Sequence, residues 1–467
     1  MPTYRTPDVY VEEISVFPPS VAEVESAIPA FIGYTERAAR GSTDLTLKPT
    51  AVRSYPEYEQ YFGGPQQRDI NVDVARDGDV ITSIAATPPE IAHNLAYAMK
   101  MFFDNGGGKC YVVSVGNYDA AVSVDDLRVG LSQVAMEDEP TLIVIPESYL
   151  LEADDYASLA QAVLQQCGTL KDRFAILDVR EGAALPAEPP DYSRPSFGAE
   201  NLKYGAAYFP FVLSTFRHAV IEDLDNPERH ESNVKVAINP ATPVTASTPR
   251  VALGTLRQSD SAIYNAIRAE VQKQRVVLPP SPAVAGVYAA TDTRRGVWKA
   301  PANVGVSNVI EPCIRITSEE QEELNVDPNE GKSINVLRSF YGVTKVWGAR
   351  TLDGNSNEWR YVNVRRFFNM VEESVKKSTY WAVFESNDAN TWVKVRGMIE
   401  AYLTQKWREG ALAGATPKDA FFVRCGLGTT MDAQDILEGR MNVEIGMAVV
   451  RPAEFIILKF THKLQSS

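Results

Sequence analysis

Apolar positions along this chain follow two rhythms. In "TPPEIAHNLAYAMKMFFDNGGGKCYVVSV", Ile91, Leu95, Met99 and Phe102 recur every three or four residues, which puts them on one face of a helix. Thr87 and Glu90 stand at capping-box spacing, and Pro88 and Pro89 are tolerated in a first turn, so a helix is predicted to start there. Gly106 to Gly108 should end it before a strand over 110–115. "TLIVIP" (141–146) and "FAILDVR" (174–180) read as further strands around a helical stretch, "DDYASLAQAVLQQCG". In that stretch Tyr156, Leu159, Ala160 and Val163 form the stripe and Gly168 supplies the stop. Strands alternating with helices predict an α/β domain around a mainly parallel, covered sheet. From about 181 to 250 the texture turns to Pro, Asn, Asp, Ser and Thr, the composition of surface insertions. "TWVKVRGMIEAYLTQKWREG" (391–410) returns to helical spacing, with Val395, Met398, Ile399, Tyr402 and Leu403 facing a core.

Each end of the chain carries an isolated β-rich run. In "TPDVYVEEISVFPPS" (6–20), Val9, Tyr10, Val11 and Ile14 favour a strand, fenced by Pro7, Pro18 and Pro19 and followed by no hairpin turn. In "RPAEFIILKFTHKLQSS" (451–467), Phe455, Ile456, Ile457, Leu458 and Phe460 could fill both faces of a covered strand. A strand without a partner at home is a donor for the open edge of another subunit's sheet, and head-to-tail donation propagates into rings or helices. The alternative is that residues 8–15 pair within their own chain.

Composition narrows the function. The 467 residues suffice for two to four domains, and 46 Lys and Arg against 60 Asp and Glu give a formal net charge of -14. That balance argues against nucleic acid or an anionic membrane as the main partner. The opening "MPTYRTPDVYVEE" lacks the features of a secretory signal, and no apolar run has membrane-spanning length, so a soluble, cytosolic product without direct membrane insertion is expected. The four cysteines, at 110, 167, 313 and 425, form no CxxC pair and read as reduced and mostly buried. The four histidines are not at ligand spacing, and His218 and His230 with Glu222, Asp223 and Asp225 read as solvated loop residues rather than a metal cluster.

Chemistry-bearing motifs are sparse. The glycines at 106–108 follow a helix and precede a strand, the reverse of the order a phosphate-cradling loop needs. "NEGKS" (329–333) has Val326 where a P-loop requires glycine. Asp178 lies at a predicted strand's C-terminal end, where α/β enzymes often keep catalytic carboxylates, but no partner acid, histidine or glycine loop accompanies it. A nucleotide- or sugar-binding enzyme with a site near Asp178 and residues 114–118 is therefore the alternative class.

The strings "GVYAATDTRRGVWKAPAN" (286–303), "INVLRSFYGVTKVWGARTL" (334–352) and "WRYVNVRRFFNMVEES" (359–374) resemble contractile tail sheath proteins. "GALAGATPKDAFFVRCG" (410–426), "TTMDAQDILEGRMNVEIGMAVVRPAEFIILKF" (429–460), "TPDVYVEEI" and "SAIPAFIGYT" (26–35) are similar to that family in the same order. The opening resembles sheaths of extracellular injection particles more than those of type VI secretion. The resemblance implies a non-enzymatic subunit, without cofactor or metal, that stacks helically with copies of itself around an inner tube protein, between baseplate and terminal cap proteins. It implies assembly in the bacterial cytoplasm, as part of a phage tail or a related particle that can be released. The expected organisation is an N-terminal linker arm (1–20), an α/β sheath domain (21–335), an α+β C-terminal domain facing the tube (336–450) and a C-terminal linker arm (451–467). In sheath families a helix at the place of "MDAQDILEGR" faces the tube, so Asp432, Gln434, Asp435, Glu438 and Arg440 are candidate contacts. Lys394, Arg396, Lys406 and Arg408 are secondary candidates.

Overall fold

Runs that are apolar at consecutive positions, such as "PAFIGYT" and "FAILD", can be strands only where both faces are covered. That is their setting in the computed structural model, which describes residues 20–184, 191–221, 232–240, 244–245 and 248–457. Pro29–Thr35, Phe174–Asp178 and Gly205–Phe209 are buried at every position. They belong to a nine-stranded sheet in the order Val304–Gly305, Val343–Val346, Ile334–Phe340, Gly205–Phe209, Phe174–Asp178, Leu142–Val144, Pro29–Thr35, Cys110–Asn117, Thr50–Val52. The six strands from Ile334–Phe340 to Cys110–Asn117 run parallel, and the outer strands are antiparallel.

Because successive side chains point to opposite faces, Phe31 enters one core and Ile32 the other. The first core also takes residues of the helices Tyr55–Phe62, Leu95–Asp104 and Ser281–Arg295. The second takes Val124–Val134 and Ala153–Leu170.

Several boundaries differ from the sequence reading. Thr87 does not start a helix; it ends the strand Val80–Thr87, paired with Ile70–Asp77, and the helix runs from Leu95 to Asp104. Alternation in "VITSIAAT" claims Thr87 for the sheet. Gly168 lies inside the helix Ala153–Leu170, which ends at Lys171 in the left-handed conformation (φ 62°). A Cβ at residue 168 would stand 2.1 Å from the Asn201 Oδ1, so close approach, not helix termination, accounts for this glycine.

The stretch from 181 to 250 holds more than insertions. Gly205–Phe209 lies within the main sheet, and Val234–Ile238 pairs in parallel with Ile70–Asp77 in a four-stranded sheet. Helices Leu253–Ser259 and Ser261–Val271 share a separate apolar core with that sheet, including Val72, Val236, Leu256 and Ile267. Glu222, Asp223, Asp225 and His230 lie outside the described residues.

The chain divides into two units, and the division expected at 336 comes instead between 369 and 370. Position 336 is inside the strand Ile334–Phe340, whose parallel pairing with Gly205–Phe209 ties it to the α/β unit. The second unit comprises Met370–Val450 with the described residues 20–24, and the C-terminal segment from Arg451 belongs to the first. In the second unit the helix Ala389–Arg408 is capped by Asp388, which accepts from the backbone amides of Asn390 and Thr391. Its Val395, Met398, Ile399, Tyr402 and Leu403 are buried, as their spacing predicts. The antiparallel strands Phe421–Arg424 and Glu444–Met447 complete an α+β arrangement with the short helices Pro417–Ala420 and Ala433–Leu437.

Candidate functional site

Within the second unit, Phe421–Arg424 and Glu444–Met447 pair, among the described residues, only with each other, from Phe421 opposite Met447 to Arg424 opposite Glu444. A two-stranded ribbon is marginal by itself, and among the described residues each strand keeps one edge with no neighbouring strand. Val423 is buried, whereas Phe422 is 42% exposed. The Phe422 ring lies across Gly446, where a Cβ would come within 2.2 Å of it, and the Arg424 guanidinium sits 4.6 Å from the ring centroid. The ribbon thus offers a partly apolar face and two edges able to accept a strand.

In the first unit, residues 451–457 form no strand. Phe455, Ile456 and Ile457 are 70%, 79% and 79% exposed, an unusual state for three consecutive large apolar side chains. Leu458 and Phe460 lie outside the described residues, as do Val9, Tyr10, Val11 and Ile14.

The candidate tube-facing residues are gathered on the short helix Ala433–Leu437. Asp432 caps it, accepting from the amides of Gln434 and Asp435 (both 2.9 Å), and the Asp435 carboxylate accepts from the Asp432 amide at 3.0 Å. Gln434 donates to Glu438 at 2.7 Å, and Arg440 pairs with Asp435 and Glu438. Much of this polarity is therefore engaged locally. Leu437, which the sequence reading passed over, is 82% exposed between these charges. Among the secondary candidates Lys406 is not a surface cation: it is 4% exposed and its ammonium pairs with Glu23 and Glu409.

The strand-end groups that would have served an enzyme are enclosed. Asp178 is buried, and its carboxylate accepts from the Ser281 amide (2.8 Å) and the Ser281 hydroxyl (2.5 Å) at the start of the helix Ser281–Arg295. Burial pushes its pKa up to about 7 against the pull of those bonds. Ser114 shares a 2.6 Å hydrogen bond with Thr35, and the Tyr118 hydroxyl donates to the Gly64 carbonyl at 2.7 Å. Glu147, not singled out from the sequence, is fully buried and accepts from the amides of Tyr34 (2.9 Å), Asn94 (3.0 Å) and Leu95 (3.2 Å). It thereby satisfies first-turn amides of the helix Leu95–Asp104, whose Asn94 side chain does not cap it. Burial raises its pKa to about 8 despite the three donors. "NEGKS" is a turn: Asp327 accepts from the amides of Asn329, Glu330 and Lys332, and the buried Lys332 ammonium donates to the Arg194 carbonyl. Among the described residues no cluster of His, Cys, Asp and Glu could hold a metal ion, and no helix is long and apolar enough to cross a membrane.

Comparison with known proteins agrees with this picture. Residues 355–463 match the model of the phage tail sheath C-terminal domain. The chain is 28% identical over 130 residues to the tail sheath protein of Enterobacteria phage T4, a match covering 27% of this chain and 19% of that protein. It is similar over almost its whole length to the anti-feeding prophage helical sheath in the contracted state (29% identity, TM-score 0.63, 99% of this chain and 100% of that one). It is equally similar to the PVC sheath complex of an extracellular contractile injection system, also contracted (28% identity, TM-score 0.63, 99% of both chains). What the chain is similar to throughout is therefore structural proteins of contractile, phage-tail-like particles. The chain is thus similar to contractile sheath proteins over almost its whole length, and its C-terminal part matches the tail sheath C-terminal domain.

Proposed function

We propose that this chain is the repeating subunit of a contractile sheath. Copies polymerise as a helical lattice around an inner tube and contract to drive the tube through a target envelope. The observation that carries the proposal is the coexistence, among the described residues, of a two-stranded sheet whose edges have no neighbouring strand and an exposed apolar run at Phe455–Ile457 outside any strand. Each supplies what the other lacks when two copies meet: main-chain donors and acceptors for the edges, and cover for the apolar side chains. The N-terminal arm, with Val9, Tyr10, Val11 and Ile14, serves as the second donor strand, and Pro18 and Pro19 keep its connector extended.

Because the donor and acceptor surfaces differ, the contact is heterologous and extends into an open assembly rather than closing in pairs. During contraction the subunits rotate and move outward while the strand pairings persist, and the work comes from rearranging the lattice. The Ala433–Leu437 helix, with Asp432, Gln434, Asp435, Glu438 and Arg440, faces the tube. Baseplate and terminal cap proteins bound the lattice, and assembly takes place in the bacterial cytoplasm before any release of the particle. Residues 1–20 and 451–467 act as arms, and the two folded units as the sheath domains between them.

Negative-stain microscopy of the expressed protein tests this reading. Long hollow cylinders are expected; a monodisperse small oligomer whose melting temperature rises with added nucleotide would contradict it.

A further inference from the structure

Where each arm meets a folded unit, a carboxylate is held by a buried cation. At the C-terminal root, Glu454 Oε1 accepts from Arg350 Nε (2.9 Å) and Asn325 Nδ2 (2.8 Å), while Oε2 accepts from Arg350 Nη2 (2.7 Å) and the Tyr361 hydroxyl (3.1 Å). Arg350 is 3% exposed, and its Nη1 donates to the Asn325 carbonyl at 3.1 Å. One residue beyond this four-bond grip, Phe455 is 70% exposed.

At the N-terminal root, in the other unit, the Glu23 carboxylate pairs with the buried Lys406 ammonium and accepts from the Tyr402 hydroxyl at 3.4 Å. The flanking amides of Ala22 and Val24 donate to the hydroxyls of Ser378 and Ser374, both at 3.0 Å.

We infer that Glu454 and Glu23 are root clasps: positioning residues that fix the points at which the two arms leave their units. The inference rests on the arm reading above and adds what limits an arm at its base. The physical reason is an asymmetry. Breaking the contact at Glu454 returns a carboxylate to water but strands a guanidinium that has little access to solvent, so release costs more than an exposed ion pair would. A bidentate pair also fixes direction, because both guanidinium N–H groups must point at both carboxylate oxygens. An arm so rooted starts from a defined position, which reduces the chain entropy lost when its tip finds a neighbour's edge. Tension on the tip then enters the folded unit instead of peeling residues from it.

The clasp is tested first on unassembled full-length subunits. Chymotrypsin cuts after exposed aromatic residues but needs a locally free segment, so Glu454 should protect the bond after Phe455. Glu454→Ala is expected to raise that cleavage rate about tenfold relative to cleavage after the exposed Phe384 in the same molecule, even though the Arg350 guanidinium left without its carboxylate lowers the melting temperature. Glu23→Ala should speed hydrogen exchange at the amides of Ala22 and Val24, which donate to Ser378 and Ser374, and unchanged exchange there would overturn the N-terminal clasp. Glu454→Asp, one methylene too short for the grip, should resemble the alanine variant. Unchanged cleavage in Glu454→Ala and Glu454→Asp would overturn the inference. Mass analysis identifies the bond cut, so other exposed aromatic residues do not confuse the readout. The same variants are then assembled beside the parent chain. Loss or irregularity of cylinders in Glu454→Ala supports the clasp, and indistinguishable cylinders oppose it. Failure of the parent itself to form cylinders contradicts the sheath reading, while subunit cleavage still decides the clasp.

Discussion

Two buried carboxylates set how this protein responds to pH. Glu147 and Asp178 have folded-state pKa values raised to about 8 and about 7, in each case chiefly by burial. A raised pKa contributes stability that is complete below the ordinary carboxyl range and is lost as pH rises through the folded value. The melting temperature of the α/β unit should therefore fall between about pH 5 and pH 8, and Asp178→Asn should flatten that slope. An unchanged slope would show that Asp178 does not titrate in this window. A second prediction concerns Arg366, whose 3%-exposed guanidinium makes a two-pronged ion pair with Asp292 and donates to the Ser26 carbonyl at 2.9 Å. Arg366→Ala leaves the Asp292 charge buried without its partner and should cost about 3 kcal/mol or more in urea unfolding; a loss below about 1 kcal/mol would contradict this. Neither Glu147 nor Arg366 was legible in the sequence. Glu147 binds the Tyr34 amide 113 positions away, and spacing along the chain carries no signal of such a contact. Asp178 was noticed for its strand-end position, but burial and Ser281 give it a structural role.

Among the elements, those with a long, uniform apolar pattern were readable. The strands at 110–117, 142–144 and 174–178 and the helix Ala389–Arg408 stand where their periodicity puts them. Two strands in the 181–250 stretch were not. "GAAYF" (205–209) and "VKVAI" (234–238) are five residues each in polar, proline-rich surroundings, and their partners lie far along the chain. Non-local pairing, not local propensity, makes them strands. The ribbon of Phe421–Arg424 and Glu444–Met447 presents the converse case: its pairing across the helix Ala433–Leu437, with no further strand among the described residues, appears only in the structure. Removing residues 455–467 should deprive such ribbons of a donor while sparing the contacts of Glu454. The truncated subunit is expected to keep the parent's circular dichroism and melting temperature yet form no ordered cylinders. Normal cylinders from it would show that the C-terminal arm is dispensable.

For the whole molecule, the sheath reading requires folding and assembly to be separable, and the described residues 451–457 contribute nothing to the apolar cores of the α/β unit. Deleting residues 1–20 should accordingly leave a soluble, folded chain that sediments as a small species. Continued polymerisation after that deletion would refute the role assigned to Val9, Tyr10, Val11 and Ile14. The likeness to tail sheaths was legible from strings spread through the chain, whereas the division at 369/370 needed the pairing of Ile334–Phe340 to be seen. The most direct measurement is a cryo-electron microscopy map of the assembled protein that resolves individual strands. Strands from neighbouring copies should lie along the free edges of Phe421–Arg424 and Glu444–Met447, one of them built from the segment after Glu454. A helical assembly in which that ribbon stays two-stranded, or assemblies that are not tubular at all, would contradict the account.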